Sequence, residues 1–456
     1  MVMKFGGTSV ADAIAIARSA EIVRGRISQK PVVVVSALAG VTDQLLALAK
    51  SAASEEHGAS AREVCRALRE RHNAAARDLL PADATQFCAQ LDDDFDALEA
   101  IIGGIAALKE LTPRTLDNAA AFGERLSSRL VAAAFQHLGI PSAHVDARDC
   151  IVTDASHTRA LPEFDEISER LRLHVQPYLD RDIVPVMAGF IGSTAEGITT
   201  TLGRGGSDFT AAIVGAGMGA EKIEIWTDVD GMMTTDPNLC PGAHRIKSIS
   251  FAEAAELAYF GAKVIHPATL LPAVQKNIPV FILNSRNPAG EGTRISARGP
   301  ACRNIFKAIA AKKRITIVDV VATRMLMAHG FLRSIFEVFD RHRCAVDMVS
   351  TSEVSVSLTV DSNEAIPAIA SDLARLADVK YEGRKAIVCL VGDNIRNTPG
   401  IAAKVFSAIP EMKVRMISQG ASEINISFVI DEADVPATVQ LLHTAFFSDL
   451  DAAVFD

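Results

Sequence analysis

The sequence lacks the cysteine spacing that zinc-binding and disulfide-rich proteins use. It contains seven cysteines, an odd number, and no two of them form a Cys-x-x-Cys pair. They are scattered along the chain at Cys65, Cys88, Cys150, Cys240, Cys302, Cys344 and Cys389. This pattern argues against both a disulfide framework and a thiolate zinc site, and it favours a reducing compartment.

Positive charge and long apolar runs are also scarce. Lys and Arg number 46 against 55 Asp and Glu, which gives a formal net charge of −9, whereas a nucleic-acid-binding surface requires a basic patch. The longest apolar run near the amino terminus, residues 32–38, is far shorter than the ~18 residues of a membrane span. No charged and apolar leader precedes it. We therefore expect a cytoplasmic protein with no nucleic-acid partner and no membrane partner.

Strand-like and helix-like segments alternate through the first two-thirds of the chain. Residues 31–35, 222–226 and 278–283 are apolar runs of the buried parallel-strand type. Ala-rich helical segments, such as residues 118–137, lie between them. The alternation predicts an α/β domain with a mostly parallel sheet over residues 1–293. In such sheets, ligands bind where strands end and glycine-rich turns lead into helices.

Two segments interrupt this alternation. Residues 54–111 are charged, helical and strand-poor, and we interpret them as a helical insertion. Residues 287–300 are rich in Gly, Pro, Arg and Ser, which marks a linker that we place at 294–312. The chain beyond this linker repeats itself at an offset of 68 to 70 residues, which predicts two related modules at 313–385 and 386–446. Each has the order strand, helix, strand, strand, helix of the ferredoxin-like unit.

Lys4, Gly6 and Gly7 open the sequence in a Lys-x-Gly-Gly pattern after a short predicted strand. Glycines let backbone N–H groups approach a phosphate closely, and a helix beginning near Ser9 or Asp12 adds positive potential. A lysine beside such a turn can hold a phosphate oxygen. A plain tight turn explains the same residues equally well.

Residues 203–208, Gly-Arg-Gly-Gly-Ser-Asp, form a second glycine-rich turn before a predicted helix. We expect Ser207 or Asp208 at the N-cap, where Ser and Asp are preferred. Capping does not explain three glycines around Arg204. A guanidinium on such a loop is suited to bidentate binding of a carboxylate or a phosphate.

Hydroxyl and carboxylate groups follow the strand at residues 222–226, in the run Thr-Asp-Val-Asp-Gly, although Asp-Gly is also an ordinary turn dipeptide.

Residues 215–220 match the letters of a dinucleotide-binding pattern. They follow a helix and precede a strand, the reverse of the required order, so we interpret them as a helix end. The P-loop pattern G-x-x-x-x-G-K-[ST] is absent, and no paired histidine spacing suggests zinc.

The ordered motifs KFGGTSV, FGE, TLGRGGSD, WTDVDG, TTDP and FGAKVIHPATL, followed by two sensor modules, resemble the monofunctional aspartate kinase family. The resemblance implies an amino-acid-kinase (carbamate-kinase-like) αβα sandwich with a mostly parallel sheet, plus two ferredoxin-like ACT domains. It also implies that residues 447–456 return to complete the sheet of the first ACT domain. The implied reaction is phosphorylation of the β-carboxylate of L-aspartate by ATP with Mg²⁺.

The resemblance further implies roles for individual residues. Lys4 and Asp208 would be catalytic. The substrate-binding residues would be Ser36, Thr42, Glu124 and Arg204, and the nucleotide-binding residues would be Lys4, Gly6, Gly7, Thr227, Asp228, Met233, Lys263 and Val264. No metal site built from protein ligands is expected, because Mg²⁺ would bridge the phosphates.

Residues 346–358, VDMVSTSEVSVSL, resemble the first ACT domain of the lysine-inhibited class. The implied L-lysine site comprises Met325, Gly330, Phe331, Leu332, Val346, Asp347, Ser352 and Glu353. Asp347 and Glu353 would accept ammonium groups, whereas the second module has Arg415 in place of Asp347 and is expected to be structural. The ACT domains would also assemble a homodimer or a dimer of dimers.

Two alternatives stay open at this point. Another amino-acid kinase, of the acetylglutamate or glutamate 5-kinase type, would share the fold but lacks the paired sensor tail. A non-catalytic amino-acid-sensing regulator would also retain the fold, and the intact Lys4, Glu124, Arg204 and Asp208 argue against it.

Overall fold

The structure is a computed structural model that describes residues 1–54, 58–261, 265–322 and 329–456. The chain divides into two compact units. The first unit comprises Met1–Met232 and Val264–Gly299, and the second comprises Met233–Lys263 and Pro300–Asp456. Residues 233–263, which the sequence assigns to the first domain, thus group with the second unit. The boundaries at residues 293, 385 and 446 stay predictions.

Strands and helices are numbered in chain order across both units. The strands of the first unit are β1 Val2–Phe5, β2 Val32–Val35, β3 Ser142–Val145, β4 Val184–Ala188, β5 Ile191–Ser193, β6 Thr199–Thr201, β7 Ile223–Thr227, β9 Val280–Asn284 and β10 Thr293–Ser296. Its helices are α1 Ala13–Arg24, α2 Val41–Ala53, α3 Gly58–Leu79, α4 Ala84–Leu108, α5 Pro113–His137, α6 Ala147–Cys150, α7 Phe164–His174, α8 Gln176–Leu179, α9 Gly206–Met218 and α11 Leu271–Gln275.

Seven strands of the first unit follow each other in the order β3-β4-β2-β1-β7-β9-β10. All neighbours pair in parallel except β9 and β10, which are antiparallel. Strand β2 is Val-Val-Val-Val and is buried throughout, because helices cover both faces of a parallel sheet. The predicted mostly parallel α/β architecture is confirmed.

Helices α3 and α4 account for most of the charged, strand-poor segment 54–111. Their apolar faces share a core with α2 and with the first half of α5, in which Leu45, Leu68, Phe95 and Phe122 are buried. The helical segment therefore packs against α2, which follows the loop after β2, and against α5, which carries the FGE motif.

The second unit contains both copies of the repeat. Its strands are β8 Ser248–Ser250, β11 Phe306–Val321, β12 Val346–Thr351, β13 Ser355–Asp361, β14 Asp378–Gly392, β15 Met416–Gln419 and β16 Asn425–Asp431. Its helices are α10 Phe251–Tyr259, α12 Phe331–Arg341, α13 Ile366–Leu373, α14 Ile401–Ser407 and α15 Val435–Phe446. The order strand, helix, strand, strand, helix occurs twice in the described residues, from β11 to α13 and from β14 to α15, as predicted.

One prediction for this unit is wrong. The six-stranded antiparallel sheet has the order β12-β13-β11-β14-β16-β15, and none of its strands comes from residues 447–456. The 16-residue strand β11 serves both modules instead, because residues 315–321 pair with β13 while residues 306–312 pair with the second half of β14. Strand β11 therefore already occupies the position next to β14 in the sheet. The carboxyl-terminal segment binds elsewhere in this unit, where the Lys247 N–H donates to the Val454 carbonyl at 2.7 Å.

The predicted linker 294–312 is also shorter than expected. It contains the last residues of β10 and the start of β11, so that residues 297–305 alone lie outside strands. All seven cysteines lie in the described residues and carry free thiols. In the same part of the chain, no helix has the length and apolar character that crossing a membrane requires.

Candidate active site

Lys4 lies on the central strand β1, which pairs with β2 on one side and β7 on the other. Its Nζ lies 2.7 Å from Oδ1 of Asp208, and the two side chains are 10% and 13% exposed. Asp208 is in the first turn of α9, where the helix dipole favours a negative charge. The two predicted catalytic residues thus form a nearly buried ion pair at the carboxyl end of the parallel strands.

The Gly6-Gly7 turn follows Lys4 directly. The Gly6 N–H donates to the Trp226 carbonyl at 2.9 Å. A Cβ atom added to Gly7 would lie 3.1 Å from the Ala37 carbonyl oxygen in the loop after β2. A side chain at this position would thus crowd the neighbouring loop. A turn of small residues beside a lysine is the kind of cradle that fits a phosphate group.

The second glycine-rich turn differs from the prediction in one respect. The N-cap of α9 is Gly205, so that Ser207 and Asp208 lie within the first turn of the helix. The physical reason is that Gly205 and Gly203 have φ angles of +72° and +79°, which glycine adopts without strain and which start the helix two residues early. Arg204 between them is exposed and makes no hydrogen bond or ion pair with a described residue. Its guanidinium is therefore free to bind an anion.

Glu124 lies on α5 and is only 3% exposed. Its Oε1 accepts a hydrogen bond from Thr42 Oγ1 at 3.0 Å, whereas its buried Oε2 has no partner among the described residues. Burial raises the pKa of Glu124 to about 7, against the lowering effect of the hydrogen bond from Thr42. An unpartnered buried acceptor is costly, and a bound ammonium group would satisfy it.

The loop after β2 packs closely on the Glu124 helix. A Cβ atom on Gly123 would lie 3.0 Å from Ala37 Cβ, which explains the glycine of the FGE motif. Ser127 on the next turn donates to the Ser36 carbonyl at 2.7 Å. Ser36, Thr42 and Glu124 are therefore brought together by contacts between this loop, α2 and α5.

The predicted nucleotide-binding residues that follow β7 are divided between the two units. Thr227 ends β7, its carbonyl accepts from the Ser285 N–H at 2.8 Å, and its hydroxyl donates to the exposed Asp228 carboxylate at 3.2 Å. Met233 belongs to the second unit, where it forms a backbone bridge with Arg245. Lys263 and Val264 lie outside the described residues.

Asp117 is a buried carboxylate of the site region that the sequence did not indicate. It accepts hydrogen bonds from Thr201 Oγ1 at 2.6 Å, from the Thr158 N–H at 3.0 Å and from His157 Nδ1 at 2.8 Å. The Thr158 carbonyl in turn lies 3.0 Å from the position of a Cβ on Gly203. Asp117 thus ties together the segments that flank the Arg204 turn. A single aspartate in an amphipathic helix has no motif that would reveal this.

The predicted lysine-binding residues lie in the second unit. The Asp347 carboxylate accepts from Lys312 Nζ with both oxygens, at 2.9 and 3.0 Å, and Oδ1 also accepts from Tyr259 OH at 2.6 Å. Gly330 is the N-cap of α12, with Phe331 and Leu332 in its first turn.

The other predicted effector residues are placed as follows. Val346 begins β12 and is half-buried. The Ser352 hydroxyl shares a hydrogen bond with Ser355 at 2.7 Å, and Glu353 is exposed. Met325 lies outside the described residues.

Comparison with known proteins agrees with this arrangement. Residues 1–284 match the amino acid kinase family, and residues 388–446 match the ACT domain family. Aspartokinase 1 (chloroplastic) of Arabidopsis thaliana is 37% identical over 99% of this chain and 80% of its own length. Lysine-sensitive aspartokinase 3 of Escherichia coli K12 is 36% identical over 98% of this chain and 99% of its own.

Two solved structures of E. coli aspartokinase III resemble the whole chain, each at 36% identity and covering 98% of this chain and 99% of theirs. The complex with aspartate and ADP, in the R-state, has a TM-score of 0.85. The complex with lysine and aspartate, in the T-state, has a TM-score of 0.84. On the family match, the full-length identity and the shared fold, this chain belongs to the aspartokinase family of amino acid kinases.

Proposed function

We propose that this protein transfers the γ-phosphoryl group of ATP to the β-carboxylate of L-aspartate, giving 4-phospho-L-aspartate and ADP, the first step of the aspartate-family amino acid pathway. The observation that carries the proposal is the nearly buried Lys4–Asp208 ion pair beside the Gly6-Gly7 turn, in a unit whose buried Glu124 has an unpartnered carboxylate oxygen. One feature suits a transferring phosphate, and the other suits the ammonium group of a free amino acid.

At the amino-acid end, the Glu124 Oε2 accepts the α-ammonium group while Thr42 keeps Oε1 in place. The exposed Arg204 binds the α-carboxylate, and Ser36 lines the pocket. Because phosphoryl transfer needs little covalent help from the protein, orientation of the β-carboxylate is the main task of these residues.

At the phosphate end, Lys4 neutralises charge on the transferring group, and Asp208 holds the Lys4 ammonium in position through the 2.7 Å ion pair. An oxygen of the β-carboxylate forms the new bond to phosphorus, and the bond to the β,γ-bridging oxygen breaks as ADP leaves. Gly6, Gly7, Thr227, Asp228, Met233, Lys263 and Val264 are the proposed nucleotide-binding residues. Mg²⁺ bound with ATP supplies further neutralisation of the phosphates.

The test is ADP release from ATP with L-aspartate, compared with N-acetylglutamate and glutamate as acceptors. Lys4→Ala should lower the turnover rate by about 10²–10³, the usual effect of removing one preorganised electrostatic contact. Lys30→Ala is the matched control, since Lys30 precedes β2 at the amino-terminal end of the strand, away from the site, and its side chain is 53% exposed. Turnover with another acceptor only, or near-parental turnover in folded Lys4→Ala, would contradict the proposal.

We further infer that L-lysine inhibits the enzyme by binding the first ACT module. Support comes from the lysine-sensitive E. coli relative and from the fold shared with its lysine complex. The site would comprise Met325, Gly330, Phe331, Leu332, Val346, Asp347, Ser352 and Glu353. Lys312 and Tyr259 already donate hydrogen bonds to the Asp347 carboxylate. The ammonium group of free L-lysine must therefore displace the Lys312 ammonium group. Inhibition also requires that lysine prefer the inactive state.

We propose that the ACT modules join two chains as a homodimer, or four as a dimer of dimers. Val349 on β12 and Ile417 on β15 are apolar and 42% and 50% exposed, which gives these strands surface to bury. Light scattering at micromolar concentration tests this: a monomeric mass would contradict it.

A further inference from the structure

Arg71 connects the helical segment to two loops of the candidate active site. It lies on α3 and is half-buried. Its Nη1 donates to the Ala39 carbonyl at 2.8 Å, and its Nη2 donates to the Ala11 carbonyl at 3.1 Å. Within the described part of the chain, Arg71 has no carboxylate partner. Its charge is therefore directed at backbone carbonyls, and each of these carbonyls lies in a segment that follows a strand of the parallel sheet.

The two carbonyls belong to loops that follow adjacent strands. Ala11 ends the turn that begins at Gly7 after β1, and Ala39 lies between β2 and α2. The loops touch each other, since the Ala37 carbonyl is 3.1 Å from the position of a Cβ on Gly7. The first loop carries the proposed phosphate cradle. The second loop packs on α5 beside Glu124, which is proposed to bind the amino acid.

We propose that Arg71 is a positioning residue for phosphoryl transfer: it fixes the spacing between the loop that holds the phosphate and the loop that borders the amino-acid pocket. The inference rests on the proposed function and extends it to the helical segment, which thereby contributes to the alignment of the two substrates. A misplacement of about 1 Å between reacting groups can cost on the order of 10² in rate.

The choice of arginine follows from its geometry. A guanidinium is planar and presents its N–H donors in a rigid fork, so one side chain can hold two separate acceptors at a set distance. A lysine ammonium at the end of a flexible chain provides donors without fixing that distance. The bridge is therefore expected to depend on arginine itself and not only on positive charge.

Arg69 provides a matched control on the same helix. It lies two residues away, so it faces a different direction, and it pairs with α4 through Asp92 at 3.4 Å, Asp96 at 2.6 Å and Glu99 at 3.0 Å. Arg69→Met removes a charged side chain and its contacts within the helical segment, while the loops at Ala11 and Ala39 keep their bridge.

The experiment measures kcat and both KM values for the parent, Arg71→Met, Arg71→Lys and Arg69→Met. Arg71→Met should lower kcat by roughly 10–100-fold, with smaller changes in the KM values, and Arg71→Lys should restore only part of the loss. Arg69→Met should keep the parental kcat. Folding of the first unit is followed by fluorescence of Trp226, the only tryptophan of the chain, which is buried in β7.

Equal kcat values for Arg71→Met and Arg69→Met would overturn the proposal. If Arg71→Met unfolds at the assay temperature, Arg71→Lys decides, and a parental kcat in that folded variant would overturn it as well. Absence of turnover with L-aspartate in the parent itself would instead refute the proposed function.

Discussion

Glu124 in the first unit and Asp347 in the second are both proposed to accept the ammonium group of a free amino acid, yet their surroundings differ. The Glu124 Oε2 is buried without a partner, and burial raises the pKa of this carboxyl to about 7. Both oxygens of Asp347 are instead taken by Lys312, and one also by Tyr259. On these proposed roles, L-aspartate would complete an unfinished contact, whereas L-lysine would have to replace an internal one.

The second copy of the repeat clarifies the role of that internal contact. Glu382 and Arg415 lie 70 and 68 residues after Lys312 and Asp347. They also form an ion pair, at 2.7 Å, with the two charges exchanged. An ion pair at this place is thus common to both modules. Only the first module has the acid on the strand-end segment where an ammonium group could bind.

The largest effect that tests this comparison is expected from Glu124→Gln. Removing the charge should weaken L-aspartate binding by roughly 1.5–3 kcal/mol, the range for hydrogen bonds to charged groups, with ATP binding little changed. Isothermal calorimetry with each substrate measures this. A loss of ATP affinity without a loss of aspartate affinity would place Glu124 outside the amino-acid pocket.

The same variant should stabilise the substrate-free first unit by about 3 kcal/mol above pH 7. The pKa of Glu124 is about 7 in the folded state against an ordinary value of 4.5, so the folded state binds a proton more readily than the unfolded state. The parent therefore becomes more stable as the pH falls from about 7 towards 4.5. Urea midpoints from Trp226 fluorescence should differ between parent and variant at pH 8 and converge at pH 5. A constant difference would contradict the raised pKa.

Binding of L-aspartate should depend on pH in the opposite direction to stability, and should weaken as the pH falls. Below pH 7 a proton competes with the ammonium group for Glu124, so the KM for L-aspartate should rise by about tenfold between pH 8 and pH 6. The Glu124→Gln variant has no carboxyl at this position and is the control. A parental KM that does not change over this range would show that the carboxylate is already ionised in the empty site.

The smallest effect is expected from Lys312→Met, which removes the internal competitor at Asp347. Burial by itself lowers the pKa of Lys312, but hydrogen bonds with Asp347 and Asp361 raise it, so this lysine is charged at neutral pH. Without it, the lysine concentration for half-maximal inhibition should fall about fivefold, because free lysine no longer has to displace an ammonium group.

Arg415→Met is the matched control for Lys312→Met, since it opens the corresponding ion pair of the second module and leaves Asp347 untouched. It should keep the parental lysine sensitivity. Equal shifts in both variants would show that the two modules respond alike, and loss of inhibition in Lys312→Met would show that Lys312 helps to bind the effector.

Much of the fold could be predicted because the signals that specify it come from residues close together in the sequence. The all-valine strand β2, the helix end at Gly219 with its φ of +62°, and the repeat in the second unit each have a local signature. The Lys4 and Asp208 motifs were also visible, because each stands beside a glycine-rich turn, although a plain turn explained the first of them equally well. The N-cap of α9 was missed by two residues because Ser and Asp are the usual N-caps, while here the left-handed glycine at 205 takes that place.

The sequence by itself determined the layered α/β architecture and the duplication, and it indicated the residues that are proposed to form the site. Only the tertiary structure decided that β11 serves both modules, that Arg71 bridges two loops, and that Asp347 is occupied while the Glu124 Oε2 is not. The physical reason is distance along the chain. Periodicity and turn chemistry act over a few residues, whereas burial and the choice of a charged partner depend on groups that lie 32 to 88 positions apart in the contacts of Arg71, Lys312 and Tyr259.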